Sequence, residues 1–318
     1  MRLSVLDQSP VPDGGTEAEA LRASLALARA AEELGFARYW VAEHHGSAAF
    51  AGAAPEVMVG AVLAVTTSMR VGSGGVLLPR YPSAKVAEVF RILSALHPGR
   101  VDLGVGRAGG PADDFPRKLV ELMARLGPEP PVWLLGASTG SAELAARLGT
   151  GYCFAHFLNP DPGEAAMSRY HAGGSVRGDV AFDATGGDAV PEPRGAVAVR
   201  VVVADTAGEA DASAEAFLLW RSRRDLGHDE TLPASDRVRR HRWTPAELDR
   251  AAVNRRTLVH GTAEQVRTAL IGLADAHGVR ELVVNTLTHD PADRLRSYRL
   301  LAEAMADTMA APDTMAHL

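Results

Sequence analysis

Arg38-Tyr39-Trp40-Val41-Ala42-Glu43-His44-His45 is a short apolar run that ends in one acid and two adjacent imidazoles. A strand buried in a parallel sheet reads as an almost unbroken apolar run, and both open α/β sheets and closed barrels place their chemistry at the C-terminal ends of such strands. Whether Glu43, His44 and His45 form a site or a solvated strand end therefore depends on what the rest of the chain builds around them. Side chains alternate along a strand, so His44 and His45 point to opposite sides if the strand continues, and one of the two is structural. No His-Glu-x-x-His spacing accompanies the pair, so a metal site is not expected.

Outward from this stretch, apolar runs alternate with helical patterns along the whole chain. Strands are expected over residues 3–6, 39–42, 71–78, 101–105, 132–135, 152–155, 196–203 and 281–285. Between the first two, Thr16 and Glu19 make a capping box, Leu21, Leu25, Ala28 and Leu34 share a helical face, and Gly35 closes the helix. Pro55 is placed to start a second helix, and Ser83 to cap a third that His97-Pro98-Gly99 stops. Further helices are read over 118–126, 141–148 and 207–220, after Thr244-Pro245 with Glu247, after Thr262 with Gln265, and over 291–309. Residues 171–195 are polar and glycine-rich and read as a long loop, either a lid or a disordered segment. Residues 221–241 are charge-rich, contain Gly227 and Pro233, and read as irregular. Eight strands separated by helices, without an internal repeat, is the count of a closed (β/α)8 barrel formed by one domain over 1–318. A doubly wound open sheet is the second possibility.

Composition narrows the function. With 47% hydrophobic and 23% charged residues, the 318-residue chain has material for a large core. A net charge of −6 and no basic face argue against nucleic acid and for a small-molecule substrate. Cys153 is the one cysteine, which excludes an internal disulfide or a multi-thiolate metal site and suits a reducing cytoplasm. The first residues lack the apolar region of a signal peptide, and no run is long enough to span a bilayer.

On a barrel, the rim at the strand ends collects Gln8, Glu43-His44-His45, Ser73-Gly74-Gly75, Gly106-Arg107-Ala108-Gly109, Gly136-Ala137-Ser138-Thr139, His156 and Thr286. Gly136 to Ser141 is a strand-to-helix turn of small and hydroxyl residues. Free backbone N–H groups and the helix dipole there suit a phosphate, although a well-capped helix would look the same. Arg107, at the end of the fourth strand, adds a planar guanidinium that suits phosphate oxygens. The glycines of Val71-Gly72-Ser73-Gly74-Gly75-Val76 mark either a bulge or a close approach of a flat ring to the backbone.

Taken together these segments resemble the bacterial luciferase-like family of flavin-dependent monooxygenases. The resemblance covers most of the chain. It rests on Trp40-Val41-Ala42-Glu43-His44-His45, on residues 71–79, on Pro98-Gly99-Arg100-Val101-Asp102-Leu103-Gly104-Val105-Gly106-Arg107, and on residues 131–149. Residues 3–10 and 288–298 look like a subgroup found in actinobacterial natural-product pathways. The resemblance implies a (β/α)8 barrel that binds reduced FMN, supplied by a separate flavin reductase, and reacts it with O2 through flavin C4a-peroxide chemistry to oxygenate a small organic, secondary-metabolite substrate. It implies a phosphate site at Arg107 and at Ala137, Ser138, Thr139 and Ser141. The flavin ring would lie near Ser73, Gly74 and Gly75, with the Gly74–Gly75 peptide cis, and Glu43 would stand beside His44, the catalytic base. A homodimer through the early helices, with the small-residue surface over 51–65 at the contact, is also implied. Two features depart from the family pattern: the segment between Arg107 and Ser138 is shortened, and Gly106 stands where luciferase has a reactive cysteine. Two other functions fit the same fold, namely F420-dependent hydride transfer and a flavin- or partner-binding barrel without catalysis.

Overall fold

The computed structural model describes residues 1–107, 110, 113–174 and 195–309. Its strands are β1 (Arg2–Asp7), β2 (Arg38–Val41), β3 (Arg70–Leu77), β4 (Val101–Gly106), β5 (Val132–Gly136), β6 (Gly151–Ala155), β7 (Gly195–Val203), β8 (Leu258–Gly261) and β9 (Glu281–Asn285). The helices are α1 (Glu17–Glu33), α2 (Pro55–Leu63), α3 (Ser83–Leu96), α4 (Phe115–Leu126), α5 (Thr139–Leu148), α6 (Gly163–Gly174), α7 (Ala207–Asp225), α8 (Ser235–Arg240), α9 (Pro245–Arg255), α10 (Ala263–His277) and α11 (Pro291–Met305). Every strand pairing is parallel. Strands β1 to β7 follow one another in the sheet, β7 pairs with β9, and β9 returns to β1, which closes an eight-stranded barrel. The eight ring strands are those expected from the apolar runs. An extra short strand, β8, pairs with the last four residues of β7, Arg200 facing Leu258 and Val203 facing Gly261. Among the described residues no helix is long and apolar enough to cross a membrane.

Strand alternation sorts the side chains. Leu3, Val5, Tyr39, Val41, Val71 and Leu103 face outward and form one core with Leu27, Val59, Phe90 and Leu122 of the surrounding helices. The opposite faces fill the barrel. Its middle is apolar, with Leu6, Trp40, Trp133, Cys153, Ala196, Ala198 and Val283 in contact. Beneath them, near the N-terminal ends, lies a buried ionic layer. Arg38 donates to Asp102 and to Glu281, both at 2.8 Å, Trp40 Nε1 donates to Asp102 at 3.1 Å, and Ser4 donates to Glu281 at 2.7 Å. Charges withdrawn from water this completely are stable only when paired and hydrogen-bonded, as these are.

The glycines of β3 have a packing reason. The register between β3 and β4 shifts between Ser73 and Val76, a bulge that brings the two backbones together. A Cβ on Gly104 would stand 2.1 Å from the Ser73 carbonyl oxygen, and one on Gly72 2.4 Å from that of Asp102. The Gly74–Gly75 peptide is cis.

Four local expectations are corrected. The stretch 221–241 is not irregular throughout: α7 runs on to Asp225, where the Arg221–Asp225 pair at 3.0 Å bridges its last turn, and α8 follows. The loop before β7 does not begin at His171, because α6 continues to Gly174, held by Tyr170 donating to Thr150 O at 2.8 Å. The remainder of that segment, 175–194, lies outside the described residues, as do Ala108 and Gly109. Ser83 does not cap α3; Pro82 takes the N-cap position, and the Ser83 hydroxyl donates to Lys118 O on α4. The last helix ends at Met305, short of residue 309. Between β4 and β5 the described chain has α4 alone, in line with the shortened segment.

Candidate active site

The residues that follow β1 to β5 form an arc around the C-terminal rim. Gln8 is aimed by a turn: Asp7 accepts from Ser9 N at 3.0 Å, and its carboxylate is anchored by Tyr39 OH at 2.7 Å and Arg294 at 2.9 Å. Ser9 has φ 48°, the one positive value for a non-glycine residue among those described. Such values cost energy and cluster where a side chain must be held in place. The side chain held here is that of Gln8, whose Nε2 lies 3.1 Å from His44 Nε2.

His44 has the inward parity of Arg38, Trp40 and Ala42. Its N–H donates to Gly52 O at 2.8 Å, and its ring packs 4.4 Å from that of Phe50. Burial, assisted by the positive charges of Arg224 and Arg200 and by His45, lowers its pKa from 6.5 to about 4, so the imidazole is neutral at physiological pH. Its Nδ1 is sealed from solvent and has no partner. His45 turns the other way, its Nε2 2.5 Å from Glu43 Oε1. Glu43 also accepts from Tyr81 OH at 2.7 Å and from Leu77 N at 2.8 Å, which ties the end of β3 to β2.

Next along the arc, Ser73 is fully buried and donates to Gly104 O at 2.8 Å, so its hydroxyl binds the neighbouring strand. Arg107 is exposed, and its side chain has no bond to any described residue. Pairing of β4 with β5 puts it beside the turn that starts α5. There Ser138 is the N-cap, and Ser138 and Ser141 form a reciprocal box; Ser141 Oγ also lies 3.0 Å from Tyr152 OH. Thr139 opens the helix, and Ala137 packs against the outer core. The rim thus carries an unpaired cation next to a helix N-terminus, which suits an anion.

Across the ring are residues that the sequence reading did not single out as site residues. Arg200, buried on β7, donates from Nε to Asn285 Oδ1 at 3.1 Å, while Asn285 Nδ2 donates to Leu6 O at 2.9 Å. A lone arginine in the apolar run Ala196-Val197-Ala198-Val199-Arg200-Val201-Val202-Val203 was the available signal. The rim residues His156 and Thr286 each bury a polar atom without a partner, Nδ1 and Oγ1, as does Gln8 with Oε1. Burial holds the pKa of His156 at about 4 as well. His156 packs against His277 of α10 and Thr286 N donates to Tyr298 OH of α11, so of these orphaned atoms only those of Gln8 and His44, whose side chains meet at 3.1 Å, mark a place shaped for a ligand.

A closed parallel barrel whose rim combines an anion site with a neutral, amide-held histidine has the architecture of a (β/α)8 enzyme. The chain belongs to the luciferase-like monooxygenase family, which it matches over residues 1–121 and 114–280. It is 41% identical to the Bacillus subtilis protein YwcH over 96% of this chain and 99% of that one. It is 33% identical to the N-acetyl-S-alkylcysteine monooxygenase of the same organism, over 96% and 98%. The crystal structure of apo-MsnO8 superposes with a TM-score of 0.85 at 39% identity, covering 96% of this chain and 98% of that one. At 18% and 17% identity the same fold holds FMN in the oxygenating constituent of Pseudomonas putida 3,6-diketocamphane monooxygenase and an F420–acetone adduct in a secondary alcohol dehydrogenase, with TM-scores of 0.71 and 0.68.

Proposed function

We propose that this protein is the oxygenase of a two-component system that uses reduced FMN, delivered by a separate flavin reductase, and O2 to oxygenate a small organic substrate of secondary metabolism. The observation that carries the proposal is the arc itself: a neutral His44 with a free ring nitrogen on β2, the Gly74–Gly75 backbone on β3, Arg107 on β4 and the capped turn on β5, in consecutive order. Arg107, the backbone N–H groups of Ala137, Thr139 and Gly140 and the hydroxyls of Ser138 and Ser141 would hold the phosphate, and Ser73, Gly74 and Gly75 would form the bed beside the ring. Glu43 fixes the geometry of that bed through Leu77 and Tyr81. When bound, reduced FMN supplies the electrons that activate O2; that chemistry belongs to the cofactor.

The chain's own contribution is binding and proton handling. With the Gln8 amide nitrogen facing His44 Nε2, that ring nitrogen accepts, and the ring proton sits on Nδ1, which points a donor into the site. A half-turn of the Gln8 amide reverses both roles and leaves Nδ1 as a lone-pair base. Gln8 therefore selects the tautomer, and His44 takes up or gives a proton at Nδ1 without becoming a resting cation. Burial keeps water from this atom.

Titration with reduced FMN, oxidised FMN and F420, followed by absorbance and oxygen uptake, tests the cofactor. Oxygen consumption with reduced FMN is expected. Turnover with F420 and no oxygen demand would establish the hydride-transfer alternative, which the same phosphate site accommodates. His44→Ala should still bind FMN but form no oxygenated product, and unchanged product formation would remove His44 from the mechanism. A cytoplasmic homodimer, joined through α1 and α2 with residues 51–65 at the contact, completes the proposal; sedimentation of the full chain checks the dimer.

A further inference from the structure

Three arginines are buried in or around the barrel, and two of them are ion-paired. Arg38 meets Asp102 and Glu281 at 2.8 Å, and Arg294 meets Asp7 at 2.9 Å. Arg200, 3% exposed, has no carboxylate of a described residue within 4.0 Å. Its side chain's one hydrogen bond among the described residues, from Nε to Asn285 Oδ1, leaves both terminal nitrogens without a partner among them. The guanidinium lies 4.4 Å from the Phe217 ring centroid and 5.1 Å from that of Phe157. The acid whose charge acts on it, Asp225, is itself occupied by Arg221, Arg250 and Asn254. Burial pulls its pKa down to about 9, which leaves it cationic at neutral pH. A buried cation left unpaired is held against its own desolvation, and groups perturbed in this way cluster at functional sites.

Its place in the ring says which anion. Arg200 continues the inward row of Ala196 and Ala198 on β7, so it stands at the top of the barrel. Strand β7 is four strands from β3, directly across from the Gly74–Gly75 bed and away from Arg107. A chain of rings leads from it to His44: Phe217 to Trp220 at 5.9 Å, Trp220 to Phe50 at 5.5 Å, and Phe50 to His44 at 4.4 Å. We propose that Arg200 is the anchor for a carboxylate on the substrate, received by the two terminal nitrogens, with the apolar part of the molecule extending past the half-buried Phe157 toward His44. This assignment rests on the reading of the rim as an oxygenase site only in calling the bound acid a substrate.

Binding of phenylacetate and of its neutral analogue phenylacetamide to the full-length, flavin-free protein, followed by tryptophan fluorescence, tests the proposal. Phenylacetate should bind about tenfold or more tightly than the amide, the worth of a charge-assisted hydrogen bond. Arg200→Met should remove that preference, Arg200→Lys should retain part of it, and anaerobic titration with reduced FMN should give the same affinity in all three proteins. The comparison of acid and amide in the unsubstituted protein needs no variant to fold. Equal affinity for acid and amide, or no binding of phenylacetate, would overturn the proposal. So would an Arg200→Met protein that keeps the preference yet binds reduced FMN more weakly, since the charge would then serve the cofactor. If reduced FMN binds none of the proteins, the cofactor assignment fails while the flavin-free comparison still decides this one.

Discussion

Replacing His44 with glutamine, which is neutral at every pH of interest, should change how the stability of the protein responds to acid. In the fold, burial and the nearby arginines hold the imidazole at about 4, against 6.5 for a histidine in the unfolded chain. As pH falls below 6.5 the unfolded chain takes up a proton that the folded protein refuses, so stability is lost through the window from 6.5 to about 4 and is regained above it. The gap corresponds to about 3 kcal/mol in full, of which about 2 kcal/mol is already lost at about pH 5. Urea unfolding followed by tryptophan fluorescence at about pH 7.5 and about pH 5 reads this directly. The stability difference between the two proteins should shift by about 2 kcal/mol in favour of His44→Gln on going to the lower pH. His156, held at about 4 for the same reason, remains in both proteins and cancels. A difference that does not change with pH, or an NMR titration of His44 near its ordinary value, would refute the account of His44 as a buried neutral base. The corollary for turnover is that product formation should not fall through pH 6.5 on account of this residue.

Two further substitutions test the rim and the sheet beneath it. Arg107 is exposed and its side chain is bonded to no described residue, so Arg107→Gln should leave the unfolding midpoint unchanged and weaken FMN by about ten- to a hundredfold, with riboflavin, which lacks the phosphate, binding equally to both proteins. Gly104→Ala puts a methyl group 2.1 Å from the Ser73 carbonyl oxygen and should cost about 1–3 kcal/mol in chemical unfolding; no loss would mean that β3 and β4 are not packed as closely as described.

The ring of eight strands was legible because each is largely buried on both faces and is therefore mostly apolar, broken only by single polar residues or glycines. Residues 196–203, apolar but for Arg200, and 281–285, with the apolar centre Leu282-Val283-Val284, read as strands on that ground. The elements that escaped notice lack this property. Strand β8 has four residues, with Val259 and His260 only half-buried, and its one partner is β7. Helix α6 ends in Gly173-Gly174, which reads as a loop, yet Ala166 and Met167 are fully buried and Tyr170 nearly so, and together they secure it against the barrel. Helix α8 buries Val238 alone. In each case the fold is set by contacts distant in sequence, which local preference does not report. The Ser73 and Glu43 side chains illustrate the same limit: their residue types suit a ligand, and long-range bonds to Gly104, Leu77 and Tyr81 occupy them.

For the site, alternation along β2 said only that the two histidines point apart, and the family resemblance chose His44; in the structure His44 meets Gln8 and Phe50 while His45 meets Glu43. What alternation cannot supply is the partner. Arg38 and Arg200 look alike in sequence, each a cation among apolar neighbours at an inward position. Their difference comes from β9, whose inward row presents Glu281 at the bottom and Asn285 four residues higher. At the bottom the acid neutralises Arg38 and the layer is closed. At the top an amide occupies the equivalent place: it orients the guanidinium through Nε, is itself fixed by Leu6 O, and brings no negative charge. A carboxylate at position 285 would pair with Arg200 and close the upper layer as Glu281 closes the lower one. With asparagine there the guanidinium is positioned but not neutralised, which is the condition a cation must meet if it is to bind an anion that comes and goes.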